Sequence, residues 1–150
     1  MLYRLYQPED FPALYAVEEL CFDPPWRFSR SYMRKIVRNP RSATWIAEEG
    51  ADLVGLVVIQ WSAGQEELAA YIETIEVHPA WRGCGIGGEL LRCAEKSARA
   101  AGAYMIGLHV RVENATAIRL YESHGYTCRG REEYYYARQP AFLYAKPLQP

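Results

Sequence analysis

Long hydrophobic runs, a strong net charge and a cysteine framework are all missing from this 150-residue chain. No stretch approaches the ~20 consecutive apolar residues that a membrane-spanning helix requires. The first residues, Met-Leu-Tyr-Arg, do not read as a secretion signal. The formal net charge of −1 argues against non-specific binding to nucleic acid, which depends on a strong positive field. These absences favour a cytoplasmic protein that engages neither a membrane nor, directly, nucleic acid.

The four cysteines show no Cys-x-x-Cys spacing and have no clustered histidines near them. They are Cys21, Cys84, Cys93 and Cys128. No metal is therefore expected, since a structural zinc site needs closely spaced ligands. Scattered cysteines are typical of free thiols in a reducing compartment. The chain also lacks a linker, a repeat or a low-complexity tract, so we expect residues 1–150 to form one domain, and a chain of this size buries roughly two thirds of its unfolded surface.

The most informative segment follows an apolar strand predicted from Tyr71 to Val77. His78-Pro79 ends that strand, and four glycines fall between residues 83 and 88, directly before a helix that starts with Glu89-Leu90-Leu91. Glycine lets the backbone approach a ligand closely, and the free N–H groups at a helix start carry partial positive charge. The segment therefore predicts a phosphate-binding turn.

Several kinds of glycine-rich turn could fit this segment. A Walker loop is excluded because Gly87-Gly88-Glu89 lacks the required Lys and Ser/Thr. A Rossmann fingerprint matches in letters, but five residues separate Val77 from Gly83, whereas the Rossmann turn leaves its strand directly. A glycine-rich turn that binds no ligand is a further alternative. The pattern Arg82-x-x-Gly85-x-Gly87 after a strand ending in Val-x-Pro resembles the acetyl-coenzyme A loop of the GNAT superfamily of N-acetyltransferases.

A second motif extends this resemblance into the C-terminal half. The segment Leu108-His109-Val110-Arg111-x-x-Asn114-x-x-Ala117-Ile118-x-Leu120-Tyr121-x-x-x-Gly125-Tyr126 is similar to the other signature block of the superfamily. It resembles most the protein N-terminal acetyltransferases, both the bacterial enzymes that acetylate a ribosomal-protein N-terminus and the eukaryotic catalytic subunits. The resemblance covers about residues 71–136, and residues 1–20 and 137–150 are barely diagnostic.

Residue periodicity and turn residues predict an α/β fold. Strands are predicted over Leu2–Tyr6, Thr44–Ala47, Leu53–Trp61, Ala69–Val77, Tyr104–Val110, Tyr126–Tyr136 and Phe142–Lys146. Helices are predicted over Pro8–Leu20, Arg30–Arg38, Gly85–Ala101 and Asn114–Ser123. This order, with the resemblance, implies the GNAT fold, a central mixed sheet of about seven strands with helices on both faces.

The resemblance implies acetyl-CoA as cosubstrate and assigns residues to it. Backbone groups of Ile75, Glu76 and Val77 would pair with the pantetheine arm, in a gap between two splayed strands. The turn formed by Arg82, Gly83, Cys84, Gly85, Ile86, Gly87 and Gly88 would hold the pyrophosphate. Asn114 would hydrogen-bond the arm, although asparagine at a helix start is equally well explained as an N-cap.

Three side chains are candidates for proton transfer. Tyr121 resembles the general acid that protonates the departing thiolate, with a core tyrosine as the alternative. The family's bacterial ribosomal-protein enzymes typically have glutamate where this chain has His109. Histidine at this position resembles some eukaryotic N-terminal acetyltransferases, in which it acts with a tyrosine, here Tyr71, through an ordered water. A structural strand histidine without a catalytic role is the alternative. Glu73 and Glu76 remain alternative bases.

The choice of histidine bears on the acceptor amine. An α-amino group has a pKa near 8 and a lysine amine a pKa near 10.4, so deprotonation at pH 7 costs roughly 1.4 and 4.6 kcal/mol respectively. A neutral imidazole acting through water suffices for the first task and is weak for the second. His109 therefore favours an N-terminal α-amine as the acceptor.

Two further segments suggest a polypeptide acceptor. By the same resemblance, Pro25 and Trp26 would line the pocket for the first residue of the acceptor, and Tyr135 and Tyr136 would touch its backbone. A tyrosine run is equally typical of a β-strand. The function expected is acetyl transfer to a protein N-terminus, of the ribosomal-protein-alanine type, by direct attack on the thioester. A small-molecule amine acetyltransferase and a non-catalytic acyl-CoA-binding module are the alternatives, and the oligomeric state stays undetermined.

Overall fold

The computed structural model describes residues 1–62, 69–136 and 139–149, with side chains described up to residue 133 and again from residue 139. A single sheet of seven strands runs through these ranges. The strands are β1 (Leu2–Leu5), β2 (Ser42–Glu49), β3 (Asp52–Trp61), β4 (Ala69–Val77), β5 (Met105–Arg111), β6 (Thr127–Tyr136) and β7 (Gln139–Pro147). The helices are α1 (Phe11–Cys21), α2 (Arg30–Arg38), α3 (Ile86–Ala100) and α4 (Ala115–Ser123).

The strand order is β1-β2-β3-β4-β5-β7-β6. β1 to β4 are antiparallel, β4 and β5 are parallel, and β5, β7 and β6 are antiparallel again. The sheet is mixed because α3 carries the chain back across it, as a parallel connection requires. The predicted mixed sheet of about seven strands is confirmed.

Helices cover both faces of this sheet. One apolar core joins the sheet to α3 and α4 and contains Leu90, Leu91 and Ile106. The other joins the sheet to α1 and α2 and contains Leu14 and Met33. β3 lies between the two cores, since Val57 and Ile59 face the first and Leu56 and Val58 the second. A central strand with both faces buried is typically a continuous apolar run, and Leu53–Ile59 reads that way.

Capping residues set the helix starts. The Ser29 hydroxyl accepts a hydrogen bond from the Tyr32 amide at 3.1 Å, and α2 begins at the next residue. The Asn114 side chain does the same for α4 by accepting from the Ala117 amide at 3.2 Å. Both are the N-cap arrangement, in which a short polar side chain satisfies an otherwise free amide. The chain leaves α4 through Gly125, whose φ of +89° favours glycine.

Some predicted boundaries were wrong by a few residues. The first helix was predicted from Pro8, but Pro8–Asp10 form a 3₁₀ turn and α1 starts at Phe11. In that turn the Asp10 carboxylate accepts from the Gln7 amide and from Arg4 of β1, at 2.7 and 2.8 Å. β2 and β7 are each four residues longer than predicted, because pairing with their neighbours extends them.

Candidate active site

The candidate active site lies where β4 and β5 separate. The two strands pair only from Ala69–Met105 to Tyr71–Gly107, although β4 continues to Val77 and β5 to Arg111. A pocket opens between them. Its walls come from β4, β5, the last turn of α1 with the loop after it, and the first two turns of α4 with their N-cap. The predicted splay between these strands is therefore present in the structure.

Backbone groups of β4 face this gap. Glu73 is an extra residue opposite β3, since Val58 pairs with Thr74 and Ile59 pairs with Ile72. Beyond this bulge, the amide of His78 donates to Val54 of β3 at 2.8 Å. Because successive residues of a strand direct their N–H and C=O groups to opposite sides, Val77 and Ile75 direct theirs towards the gap. An extended ligand lying there could pair with Ile75 and with the Val77 amide as a strand would, whereas the Val77 carbonyl already accepts from the Arg82 side chain and the Cys21 thiol.

The turn after β4 presents a row of free amides. α3 begins at Ile86, and its N-cap Gly85 has a φ of +81°. Within the described residues, the amides of residues 85–88 have no hydrogen-bond acceptor, and the first bond of the helix runs from Glu89 to Gly85 at 3.2 Å. Consecutive free amides at a helix N-terminus suit an anion such as pyrophosphate. The residues present thus fit the phosphates of coenzyme A.

The glycines of this turn also serve packing. A Cβ on Gly87 would lie 3.0 Å from a methyl carbon of Leu120, and a Cβ on Gly88 would lie 2.9 Å from the imidazole of His124. These two glycines let α3 approach α4 closely. Gly83 and Gly85 have open space around them, but their positive φ values of +78° and +81° strain any other residue. Substituting any of the four glycines would disturb the fold as well as the phosphate-binding turn.

We expect Cys84→Asp to raise the dissociation constant of acetyl-CoA at least about tenfold. Cys84 is exposed in the middle of the turn, and a carboxylate there would repel phosphates and compete for the same amides. Titration calorimetry measures the change. Cys84→Asn is the uncharged control and Cys128→Asp places the same charge on another exposed cysteine. Unchanged binding in Cys84→Asp would place the phosphates elsewhere.

The Arg82 side chain is held away from the free amides of residues 85–88. Its Nε donates to the carbonyl of Val77 at 3.1 Å, and one terminal nitrogen lies 3.5 Å from the sulfur of Cys21. The guanidinium therefore fastens the turn to the end of β4 and to the end of α1. Burial, with the carboxyl of Glu76 nearby, raises the pKa of the Cys21 thiol to about 11, so this cysteine is not a reactive thiolate.

Tyr71 and His109 meet at the point where the strands separate. The Tyr71 hydroxyl lies 2.7 Å from Nδ1 of His109, and their rings are 5.6 Å apart. The other ring nitrogen of His109, Nε2, lies 2.9 Å from a carboxylate oxygen of Glu132 on β6. The two predicted proton-transfer residues are thus in direct contact. Glu132 was not predicted as a site residue.

The alternative bases have other partners. Glu73 lines the pocket and accepts a hydrogen bond from the Tyr32 hydroxyl of α2 at 3.0 Å. Burial raises the pKa of Glu73, and that hydrogen bond opposes the shift. Glu76 is 3% exposed and accepts from the Thr74 hydroxyl at 2.7 Å. Glu76 is therefore buried away from any acceptor amine.

Glu76 and Glu18 form a buried carboxyl pair between β4 and α1. Glu18 is 1% exposed, and one of its oxygens accepts from the amide of Phe28, which fixes the loop that lines the pocket. The remaining oxygen of each carboxyl has no donor within the described residues. Burial and the hydrogen bond to Glu18 hold the pKa of Glu76 well above its ordinary value. A proton on the Glu76 carboxyl, whose pKa is raised, supplies a donor between these oxygens.

This pair predicts a pH-dependent effect of Glu76→Gln on stability. A carboxyl whose pKa is raised on folding binds its proton more tightly in the folded state, so wild-type stability falls as pH rises from about 4.5 through the raised pKa. Glutamine stays neutral throughout. We expect the free energy of unfolding of Glu76→Gln, relative to wild type, to increase by at least about 1 kcal/mol between pH 5 and pH 8. Urea unfolding at each pH measures this difference, and Glu19→Gln, which changes an exposed glutamate, is the control. If the free energies of unfolding of Glu76→Gln and wild type changed in parallel with pH, the prediction would be contradicted.

Tyr121 of α4 lines the pocket. It is 6% exposed, and burial raises its pKa above that of a free tyrosine. Its hydroxyl makes no hydrogen bond to any described residue. Its ring packs against Tyr126 at 6.1 Å, and the Tyr126 hydroxyl donates to the buried carboxylate of Glu95 at 2.9 Å. Tyr121 thus belongs to the apolar core and also has a hydroxyl available to a ligand.

The remaining predicted residues fall into three groups. Asn114 lines the pocket while its oxygen caps α4, so only its amide nitrogen is left for a ligand. Trp26 lines the pocket, and the guanidinium of Arg111 stacks on its ring at 4.6 Å. Pro25 is next to Trp26 in the chain but is not among the lining residues. The side chains of Tyr135 and Tyr136 lie outside the described residues.

Several lining residues were not predicted from the sequence. They are Glu18, Phe22, Phe28, Ile72, Thr74, Leu108, Val110, Arg111 and Ala117. The aromatic residues on either side of Pro-Pro-Trp were a usable signal for Phe22 and Phe28. Within the described residues, no group of three or more His, Cys, Asp or Glu side chains could hold a metal ion, and no helix is long and apolar enough to cross a membrane.

Comparisons with known proteins agree with this geometry. The profile described as "Acetyltransferase (GNAT) family" matches residues 3–126. A Bacillus subtilis (strain 168) protein, named provisionally as a ribosomal protein bS18-alanine N-acetyltransferase, is 30% identical over 128 residues, or 85% of this chain and 82% of that protein. Streptothricin acetyltransferase of Streptomyces lavendulae is 40% identical over 85 residues, which is 57% of this chain but only 44% of that protein.

Solved structures share the fold over almost the whole chain. The ribosomal-protein-S18-alanine N-acetyltransferase of Escherichia coli has a TM-score of 0.86 at 23% identity, covering 99% of this chain and 94% of that one. The NatC complex bound to Gag peptide and CoA has a TM-score of 0.84 at 23% identity, and the match covers 99% of this chain and 98% of that one. NAA60 of Arabidopsis thaliana with a bisubstrate analogue gives 0.84 at 22% identity, covering 99% of both chains.

Proposed function

We propose that this chain, which belongs to the acetyltransferase (GNAT) family, transfers the acetyl group of acetyl-CoA to the N-terminal α-amine of a protein. The observation that carries the proposal is the 2.7 Å contact between Tyr71 and His109 at the point where β4 and β5 separate. It combines a proton-transfer pair with a pocket that opens beside backbone groups suited to a pantetheine arm.

Acetyl-CoA would bind along the gap and the turn. The free amides of residues 85–88 would hold the pyrophosphate, with Arg82–Cys84 forming the rest of the turn. The backbone groups of Ile75, the amide of Val77 and the side-chain nitrogen of Asn114 would hold the arm. When bound, the cosubstrate supplies an activated thioester carbonyl. An amide of β4 near Val77 would polarise that carbonyl as negative charge develops on its oxygen.

Tyr71 and His109 would handle the proton of the acceptor. An ammonium group beside this pair would lose its proton to the Tyr71 oxygen, directly or through one water, as the Tyr71 proton moves to Nδ1 of His109. The neutral amine then attacks the thioester carbonyl, the C–N bond forms and the C–S bond breaks, and the proton that the nitrogen loses on becoming an amide passes to the departing thiolate. At pH 7 this deprotonation costs roughly 1.4 kcal/mol for an α-amine and 4.6 kcal/mol for a lysine. That difference favours the α-amine.

The pocket lining supports a polypeptide acceptor. Phe22, Trp26 and Phe28 form an aromatic wall on the loop after α1, and Arg111 closes one side by stacking on Trp26. Such a wall suits the side chain of a first residue, next to an open mouth through which the rest of a chain could leave. The names of the Bacillus subtilis relative and of the NatC complex, the latter bound to a peptide, are in keeping with this acceptor.

A second candidate is a small-molecule amine acetyltransferase. The partial match to streptothricin acetyltransferase favours it, and so does acidity near the site. Glu73 lines the pocket and Glu132 contacts His109, so two carboxylates could attract a polycation. The 4.6 kcal/mol cost of deprotonating an alkylamine at pH 7 counts against it.

A competition between amines tests the proposal. A short peptide with a free N-terminus is offered together with its α-acetylated twin that carries only a lysine amine, a polyamine and streptothricin. Mass spectrometry of the products locates the acetyl group. We expect acetylation of the free α-amine and a nearly inert twin. Preferential labelling of lysine, polyamine or streptothricin would favour the second candidate instead. Binding of acetyl-CoA without any acetylated product would indicate a non-catalytic acyl-CoA-binding module.

A further inference from the structure

His109 has an oxygen partner on each ring nitrogen. The Tyr71 hydroxyl is 2.7 Å from Nδ1 and the Glu132 carboxylate is 2.9 Å from Nε2. The His109 side chain is only 11% exposed, whereas that of Glu132 is 52% exposed. The imidazole, which lines the pocket, therefore lies between the Tyr71 hydroxyl and a carboxylate near the surface.

The register of the sheet brings Glu132 to His109 across β7. Arg111 of β5 pairs with Ala141 of β7, and Ala141 pairs with Glu132 of β6. His109 is two residues from Arg111, so these side chains stand on the same face of the sheet. The residue between Arg111 and Glu132 is a fully buried alanine. Its methyl group leaves room for the longer carboxylate to pass over β7.

These contacts select one tautomer of the neutral imidazole. An ionised carboxylate only accepts hydrogen bonds, so the proton resides on Nε2 and is donated to Glu132. Nδ1 then has a free lone pair and accepts from the Tyr71 hydroxyl. This is the orientation in which Tyr71 can pass its proton to His109. With the other tautomer, Nδ1–H would block that transfer.

We propose that Glu132 is a positioning residue that holds His109 in the Nε2–H tautomer, so that Nδ1 accepts the proton of Tyr71 during amine deprotonation. The inference rests on the proposed function of Tyr71 and His109. In the step, the ammonium gives one proton to the Tyr71 oxygen and the Tyr71 proton passes to Nδ1. The resulting imidazolium carries its positive charge 2.9 Å from the Glu132 carboxylate. The proton then leaves His109 to solvent, which restores the neutral ring.

Kinetics of matched glutamate variants test the role. We expect Glu132→Ala to lower kcat about tenfold, the lower end of the effect seen when the partner that orients a metal-bound histidine is removed. This loss of kcat is expected to be well below the loss caused by removing a buried carboxylate that orients a catalytic histidine, because solvent screens the charge of Glu132. Glu132→Gln keeps an acceptor for Nε2–H and should lose only about threefold in kcat. Glu133→Gln removes the same charge from the next residue, which pairs with Arg131, and should leave kcat unchanged.

A double-mutant cycle separates positioning from acceptor binding. In a His109→Ala background, Glu132→Ala should cause no further loss of kcat, because Glu132 acts through the imidazole. KM for the acceptor should stay within about twofold in Glu132→Ala. A full tenfold loss in the His109→Ala background, or a loss expressed in KM alone, would overturn the proposal and make Glu132 an acceptor contact.

The tautomer itself is visible in the free protein. Ring ¹⁵N chemical shifts of His109 should show the Nε2–H form in wild type and Glu133→Gln, and a mixture of both tautomers in Glu132→Ala. Wild-type shifts of the Nδ1–H form would overturn the proposal. This measurement needs no acceptor, so it separates failure of the Glu132 role from failure of the proposed function. The kinetic cycle is run with whichever amine the competition identifies.

Discussion

Replacing His109 by alanine is expected to lower kcat about 10²-fold at pH 7, and by much less above pH 8. General-base assistance contributes about 10²–10⁴-fold when the proton must be removed during turnover. The acceptor α-amine has a pKa near 8, so below that pH it arrives protonated and needs the base. At higher pH solvent has already taken the proton, and the contribution of His109 shrinks.

The pH profile of kcat from pH 6 to pH 9.5 measures this effect with a peptide acceptor. Tyr71→Phe should reproduce the defect and its pH dependence, since it removes the hydroxyl that contacts Nδ1. Tyr104→Phe alters an exposed tyrosine and serves as the control. A His109→Ala defect of constant size up to pH 9.5 would contradict the role of His109. A larger loss in Glu73→Gln than in His109→Ala would make Glu73 the base.

Local signals in the sequence predicted the elements that carry the site. The bounds of α2 and β4 were predicted correctly, because Ser29 caps the helix and a proline follows each element within two residues. The α3 start followed from the glycine run before it. These features depend on neighbouring residues only, so the sequence alone contains them.

Contacts between distant residues could not be predicted in the same way. The pairing of Glu132 with His109 depends on the register of β6 and β7, which is irregular at Cys128/Gly130 and again at Glu132/Tyr136. A one-residue slip would direct Glu132 to the opposite face of the sheet. The Glu18–Glu76 pair likewise requires α1 to lie against β4 at one position. Neither carboxyl has a sequence signature of burial.

The glycine turn shows how one motif can have two physical causes. The sequence interpretation assigned all four glycines to ligand approach. The structure assigns Gly87 and Gly88 to the packing of α3 against Leu120 of α4 and against His124, which follows α4. Only Gly83 and Gly85, with positive φ, shape the turn itself. Glycine spacing alone could not separate these roles, because both require the absence of a Cβ.

Burial changes the chemistry that Tyr121 can perform. A thiol has a pKa near 8.5 and a free tyrosine a pKa near 10, and burial raises the pKa of Tyr121 further. Complete transfer of its proton to the departing thiolate would therefore be uphill by more than about 2 kcal/mol. A hydrogen bond from Tyr121 to the developing thiolate avoids that cost. Such a donor inside a water-poor pocket typically contributes 10²–10³-fold to kcat.

We therefore expect Tyr121→Phe to lower kcat about 10²-fold with little change in KM for acetyl-CoA, and by the same factor from pH 6 to pH 9. The pH-independence follows because Tyr121 stays protonated throughout this range, in contrast to the His109→Ala profile. Stability should hardly change, since the Tyr121 hydroxyl has no hydrogen-bond partner among the described residues.

Tyr126→Phe is the matched control for Tyr121→Phe, because it removes the neighbouring hydroxyl that donates to Glu95. It should lower the free energy of unfolding by about 1–3 kcal/mol and leave kcat nearly unchanged, since it leaves a buried carboxylate with one partner fewer. Of these two neighbouring tyrosines, Tyr121 would then be needed for kcat and Tyr126 for stability. Retention of more than half of the wild-type kcat in Tyr121→Phe would make Tyr121 a core residue, with the departing thiolate stabilised by other groups of the gap.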